Sequence, residues 1–174
     1  MQGTADLDLR VLKTVRVKAP IERAFFVFVE QMETWWPATH HIGNIPLVAI
    51  FVEPRVGGRW YERNAEGGLC DWGTVLAWDP PHRVRFSWHV GPGHDRPDWV
   101  FDPDMAKASE VEIRFRPEGP NATLVELEHS KIERHGEGAV QLREMFDGPG
   151  AWITILEKFA EAADRVQAQK GRWP

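Results

Sequence analysis

The chain has one cysteine, Cys70, and one tyrosine among 174 residues. A lone thiol closes no internal disulfide and forms no cysteine cluster for zinc, so no oxidising compartment is implied. No neighbour in sequence is placed to activate Cys70, so it reads as inert. Basic residues are not in excess: 21 Lys and Arg face 26 Asp and Glu, for a net charge of −5. That balance argues against nucleic acid as a partner, because such domains normally carry a basic face. The charges are mixed along the chain and read as solubility. No apolar run approaches the roughly 20 residues of a membrane span. The opening MQGTADLDLR lacks the charged-then-apolar pattern of a signal. The expectation is a cytoplasmic protein without membrane insertion. There is no P-loop, no dinucleotide GxGxxG and no GxSxG, so no cofactor is expected. His40 and His41 are adjacent, which suits them poorly to grip one metal ion, and no third ligand stands nearby.

Aromatic rings are abundant instead: nine Trp and nine Phe. Rings are ordinary core mass, but nine indoles exceed what a core of this size needs. Some are expected to line a cavity. The length fits one domain over 1–174, with 1–8 and 171–174 as tails.

Hydrophobic periodicity gives the order of elements. Residues 9–18 alternate as a strand, with Leu9, Val11, Val15 and Val17 on one parity and Lys13 as the exception. Pro20 opens a helix that carries Ile21, Ala24, Phe25 and Phe28 at helical spacing. Pro37 ends helical structure near Trp36. From 46 to 130 the chain reads as strands and turns. Val84, Phe86, Trp88 and Val90 face one way, as do Val111, Ile113 and Phe115, and Thr123, Val125, Leu127 and His129. The register of 70–79 stays open, so Trp72 and Trp78 can exchange roles. Residues 91–109 form a long segment rich in Gly, Pro and Asp, read as surface or a flexible cover. After Gly148-Pro149-Gly150, Trp152, Leu156, Phe159, Ala163 and Val166 form one helical stripe. A half-apolar antiparallel sheet must be covered, and this helix is the obvious cover.

Several strings in this order resemble the START-like (SRPBCC, helix-grip) superfamily, in its branch of heat-shock-protein ATPase-activator homologues. They are Val17 to Phe28, Trp35-Trp36-Pro37, Val56-Gly57-Gly58-Arg59-Trp60, Gly73 to Pro81, Glu128-His129-Ser130, and Trp152 with Leu156. The WWP, GGRWYE and C-terminal tryptophan strings are most similar to self-resistance proteins that bind enediyne-type products. The resemblance implies an α+β helix-grip fold, with a curved antiparallel sheet of about six to seven strands around a long C-terminal helix. It also implies a cavity between them. Carried over by position, its walls are Trp35, Trp36, Trp60, Trp72, Phe86, Trp88, Ile113, Phe115, Leu127, Met145, Trp152 and Leu156, with His129 among them.

His129 and Glu62 are the inward-facing titratable candidates. Imidazole near neutrality can serve as acid or base. The plainer reading of His129 is a paired core histidine, and of Glu62 a carboxyl at the wet end of its strand. Three readings rank in order. The first is a non-catalytic binder of a small hydrophobic or polycyclic ligand, as carrier or protective protein. The second is a cyclase- or dehydratase-type enzyme using His129 and Glu62. The third is a chaperone ATPase-activator-like interaction module. A homodimer is compatible with all three.

Overall fold

A computed structural model describes residues 9–42, 45–92 and 99–168. The expected tails at 1–8 and 171–174 lie outside these residues. The elements are β1 (Val11–Val17), α1 (Ile21–Glu30), β2 (Leu47–Val52), β3 (Arg59–Asn64), β4 (Leu69–Asp79) and β5 (Arg83–Trp88). They continue as β6 (Val90–Pro92), β7 (Trp99–Phe101), β8 (Ser109–Pro117), β9 (Thr123–Ser130), α2 (Ala139–Asp147) and α3 (Trp152–Ala168). Seven strands form one sheet in the order β1-β9-β8-β5-β4-β3-β2, and every pairing is antiparallel. The fold is the helix grip expected. Among the described residues no helix is long and apolar enough to cross a membrane.

Strict alternation assigns the two faces of the sheet. Val84, Phe86, Val111, Ile113, Phe115, Val125 and Leu127 are buried inward. Outward, Arg85 meets Glu112 at 2.6 Å, and Arg114 meets Glu112 at 2.8 Å and Glu128 at 3.1 Å. Burial is the largest influence on the Glu112 carboxyl and raises it, but hydrogen bonds from Arg114 and Arg85 outweigh it and hold the group low. Such half-exposed pairs contribute about 0–1 kcal/mol each, so the inward face carries the stability. The Lys13 that interrupts β1 reaches Asp147 of α2 at 2.7 Å.

Two register shifts settle the roles of Trp72 and Trp78. Between β3 and β4, Trp60 opposes Gly73 and Tyr61 opposes Asp71, which leaves Trp72 as the extra residue of a bulge. Between β4 and β5, Val75 opposes Phe86 and Ala77 opposes Arg85. An inserted residue bends a strand and re-aims its side chains. Both indoles therefore end on the inner side, at opposite ends. Trp78 packs edge-on against Phe25 at 5.4 Å, while Trp72 joins Trp36 at 4.9 Å. Gly73 permits this bend, because a Cβ there would lie 1.8 Å from the Ser87 carbonyl oxygen.

The α3 stripe of Trp152, Leu156, Phe159 and Ala163 is buried. It divides the interior in two. At one end Phe25, Phe28, Trp35, Phe115 and Phe159 interlock at centroid distances of 5.0–5.9 Å. The other end holds Trp36, Trp60, Trp72, Trp88 and Trp152. Part of the 91–109 segment is ordered structure rather than loop. β6 and β7 form a separate two-stranded ribbon, which the sequence did not reveal, and residues 93–98 lie outside the description.

Candidate functional site

The second end is open. A cleft of about 560 Å³ is walled by Trp36, Trp72, Trp88, Val90, Trp99, Phe146, Trp152 and Ile155, with Thr39, His40, His41, Ile42, Glu144 and Met145 around them. The turn Gly148–Ala151 completes the wall. Its size falls within the roughly 300–1,000 Å³ of small-molecule sites.

Four of the wall indoles spend their N–H groups on the protein. Trp36 donates to the His40 carbonyl at 2.8 Å, and Trp88 to the Val90 carbonyl at 2.8 Å. Trp72 donates to Glu62 Oε1 at 2.7 Å, and Trp152 to His129 Nδ1 at 3.0 Å. The rings thus turn carbon edges and π-faces toward the cleft. A ligand there meets quadrupoles and dispersion, worth about 0.5–1.5 kcal/mol per aromatic pair beyond buried area.

His129 is fully buried and committed. An indole N–H only donates, so His129 Nδ1 accepts and its Nε2 carries the proton. That proton goes to Ser109 Oγ at 2.8 Å, and Ser109 in turn donates to His135 Nε2 at 2.7 Å. The His129 ring stacks on Phe146 at 4.5 Å. Burial first, and then His135, hold the imidazole well below its ordinary value. Burial, followed by His89, lowers His135 as well, with Asp102 opposing. The result is a directed chain, Trp152 to His129 to Ser109 to His135, that fixes one wall of the cleft.

Glu62 differs. It is fully buried on β3, and Oε1 accepts from Trp72 and from the Ile42 backbone N–H at 3.0 Å. Oε2 has no hydrogen-bond partner among the described residues. A buried polar atom left unpaired costs about 1–3 kcal/mol, so the position demands an explanation.

Of the expected wall residues, Trp36, Trp72, Trp88, Met145 and Trp152 border the cleft. Trp35, Trp60, Phe86, Ile113, Phe115, Leu127 and Leu156 are packed in the core behind it or at the closed end, because large rings and α3 fill that space. His129 and Glu62 do not form a pair. Each is bound to a different wall tryptophan, and no hydrogen bond joins the two. Cys70 is half-buried, and burial first, then Glu62, raise its thiol.

Several cleft residues were missed. His40 and His41 had been weighed only as metal ligands. His40 is taken up by structure: Thr39 donates to its Nδ1 at 3.1 Å, and its Nε2 donates to the Gly150 carbonyl at 3.1 Å. His41 has only a 3.4 Å contact from Nδ1 to the Ile42 carbonyl, which leaves Nε2 without a partner among the described residues. Trp99 was hidden in the Gly/Pro-rich segment, and the ribbon brings it to the cleft. The usable signal for the histidines was their place directly after Trp36-Pro37.

Residues 18–163 match the family of activator of Hsp90 ATPase homolog 1-like proteins. A search of curated protein sequences gives no match. Among solved structures, the anthrahydroquinone-γ-pyrone synthase Txn09, determined as a complex, is 40% identical, with 87% of this chain and 95% of that one covered and a TM-score of 0.61. CalC, a self-sacrificing resistance protein from Micromonospora echinospora, is 26% identical over 90% of this chain and 94% of its own, with a TM-score of 0.63. DynU16, from the dynemicin biosynthetic locus, is 19% identical over 89% of this chain and 47% of its own, with a TM-score of 0.53, and speaks for the fold alone.

Proposed function

The chain belongs to the activator of Hsp90 ATPase homolog 1-like family, and on that basis we propose that it binds a flat, fused-ring aromatic molecule in the tryptophan cleft and promotes a ring closure on it. The observation that carries this reading is the wall itself: four indoles whose N–H groups are all bonded within the protein. Such a wall favours a polycyclic aromatic over a polar metabolite. The 40% identity with a γ-pyrone synthase supports the choice of reaction class.

Closing an oxygen ring on a fused-ring phenol brings the phenol oxygen to a side-chain carbonyl carbon. A C–O bond forms as the phenol proton passes to the carbonyl oxygen, giving a hydroxyl. That hydroxyl then leaves as water with a proton from the adjoining methylene, and a ring C=C bond takes the place of the bonds broken. A rigid cleft serves this reaction by holding the side chain folded against the ring, converting a rare encounter into a standing one. His41, with an uncommitted ring nitrogen at the cleft, is the group placed to move a proton.

A protective binder is the second reading, supported by the 26% identity with CalC. Both readings share the cleft and differ in turnover. A hydroxyanthraquinone should quench tryptophan emission to saturation. An anthrahydroquinone bearing a diketone side chain should lose one water, seen by mass spectrometry, at a rate that falls about 10²–10⁴-fold in His41→Ala, the usual contribution of one acid–base group. Saturable binding without turnover would select the protective reading. Absence of binding would reject both.

A further inference from the structure

Glu62 lies behind the seam between two wall residues, because one of its oxygens grips both: the Trp72 indole at 2.7 Å and the Ile42 backbone at 3.0 Å. Both of these residues border the cleft. The second oxygen, Oε2, is buried with no partner among the described residues. A carboxylate oxygen only accepts hydrogen bonds, and a buried one left bare is rare in native proteins. His41 and Ile42 lie in irregular backbone rather than in a strand, so a shift of Ile42 breaks no strand ladder.

The arrangement separates two tasks that one carboxyl can do at once. Oε1 sets the cleft wall by fixing the indole of Trp72 and the chain at Ile42. Oε2 remains as a buried, unpaired acceptor behind the tryptophan side of the wall. A hydroxyl on the ligand edge, pressed against the Ile42–Trp72 seam, would meet this acceptor there.

We infer that Glu62 Oε2 is the acceptor for a hydroxyl on the edge of the aromatic ligand, so that the cleft selects phenolic polycycles over their hydroxyl-free or O-alkylated analogues. This rests on the reading of the cleft as an aromatic-ligand site and adds the feature by which it discriminates. The physical ground is asymmetric: a site built around a buried acceptor rejects the analogue that lacks the donor far more strongly than an apolar wall rejects an extra group.

The test uses a β-hydroxyanthraquinone and its methyl ether as paired probes, titrated into the full chain by tryptophan quenching. Wild type should bind the hydroxyl compound about tenfold more tightly, the worth of roughly one good hydrogen bond. The bound hydroxyl compound should also show a red-shifted visible band that the ether lacks. Glu62→Gln keeps an oxygen for Trp72 and Ile42 and replaces Oε2 by a donor. In that variant the preference and the red shift should vanish. Glu62→Asp, which withdraws the carboxyl, should give the same loss and serves if the glutamine variant does not fold. Equal binding of the two probes by wild type, or a preference and red shift that survive in Glu62→Gln or Glu62→Asp, overturns the assignment and leaves the aromatic cleft intact. Binding of neither probe overturns the assignment together with the cleft reading.

Discussion

The two flanks of the cleft solve the same problem in different ways. On one flank Trp152 is held by His129, and on the other Trp72 is held by Glu62. His129 has both ring nitrogens paired, and its chain runs on through Ser109 to His135. Glu62 has one oxygen doubly paired and the other bare. Fully satisfied buried networks fix one arrangement, whereas a half-satisfied one holds a cost in reserve. The His129 flank is therefore scaffold. The Glu62 flank keeps a polar atom available.

Breaking each flank at its support should separate them most sharply. Gly73→Ala places a methyl 1.8 Å from the Ser87 carbonyl oxygen, and that neighbour is backbone. The bulge that aims Trp72 must then shift, at a cost of about 3 kcal/mol or more, seen as a lowered denaturation midpoint. His129→Leu should come next. It removes the acceptor for the Trp152 indole and the donor to Ser109, for about 2–4 kcal/mol in all, since each buried group left unpaired costs about 1–3 kcal/mol. Urea unfolding checks both values. If His129→Leu is nearly neutral, the chain through Ser109 is not what holds that wall.

Much of this architecture was legible as pattern. Clean alternation in β5, β8 and β9 assigned their inner faces, and the α3 stripe announced its own burial. Trp72 could not be placed, because a bulge changes parity and its cue, Gly73, looks like any glycine in a strand. The extent of the cleft was also hidden. Parity says that Phe115, Leu127 and Leu156 point inward, but not whether a void or another ring meets them there. That depends on how α1, α3 and the Trp36–Ile42 segment fill the concave side. Nor does sequence show hydrogen-bond partners, so it left His129 open as a paired core histidine or a catalytic group, and Glu62 as a carboxyl at the wet end of its strand or a catalytic one.

Acid should loosen the His129 flank by a smaller amount. In the folded chain His129 is held well below the ordinary value of 6.5, first by burial and then by His135. The unfolded chain therefore binds the extra proton first as pH falls. Stability contributed by the neutral imidazole is complete above about pH 6.5 and is lost progressively below it, at no more than about 1.4 kcal/mol per pH unit for one proton. His135, also lowered, adds in the same direction. Unfolding free energies measured between pH 7.5 and pH 5 should fall in wild type and fall less steeply in His129→Gln. An unchanged slope in the variant would mean that another group governs acid sensitivity.

The smallest expected effect is on the other flank, and it tests the contrast directly. Glu62→Gln retains an oxygen where Trp72 and Ile42 donate, so the two anchoring bonds at 2.7 and 3.0 Å persist. What changes is the bare position: an unpaired acceptor becomes an unpaired amide donor of nearly the same volume. One unsatisfied group replaces another, so stability should move by less than about 1 kcal/mol in either direction. Ser109→Ala is the matched change on the His129 flank. It strips a partner from a chain in which every member is used, leaving the His129 N–H and His135 Nε2 unpaired, and should cost about 1–3 kcal/mol. Urea midpoints of the two variants, measured side by side at pH 7.5, should differ with Ser109→Ala clearly the lower. If Glu62→Gln proves the more damaging of the two, Oε2 is structurally engaged and the flanks are alike.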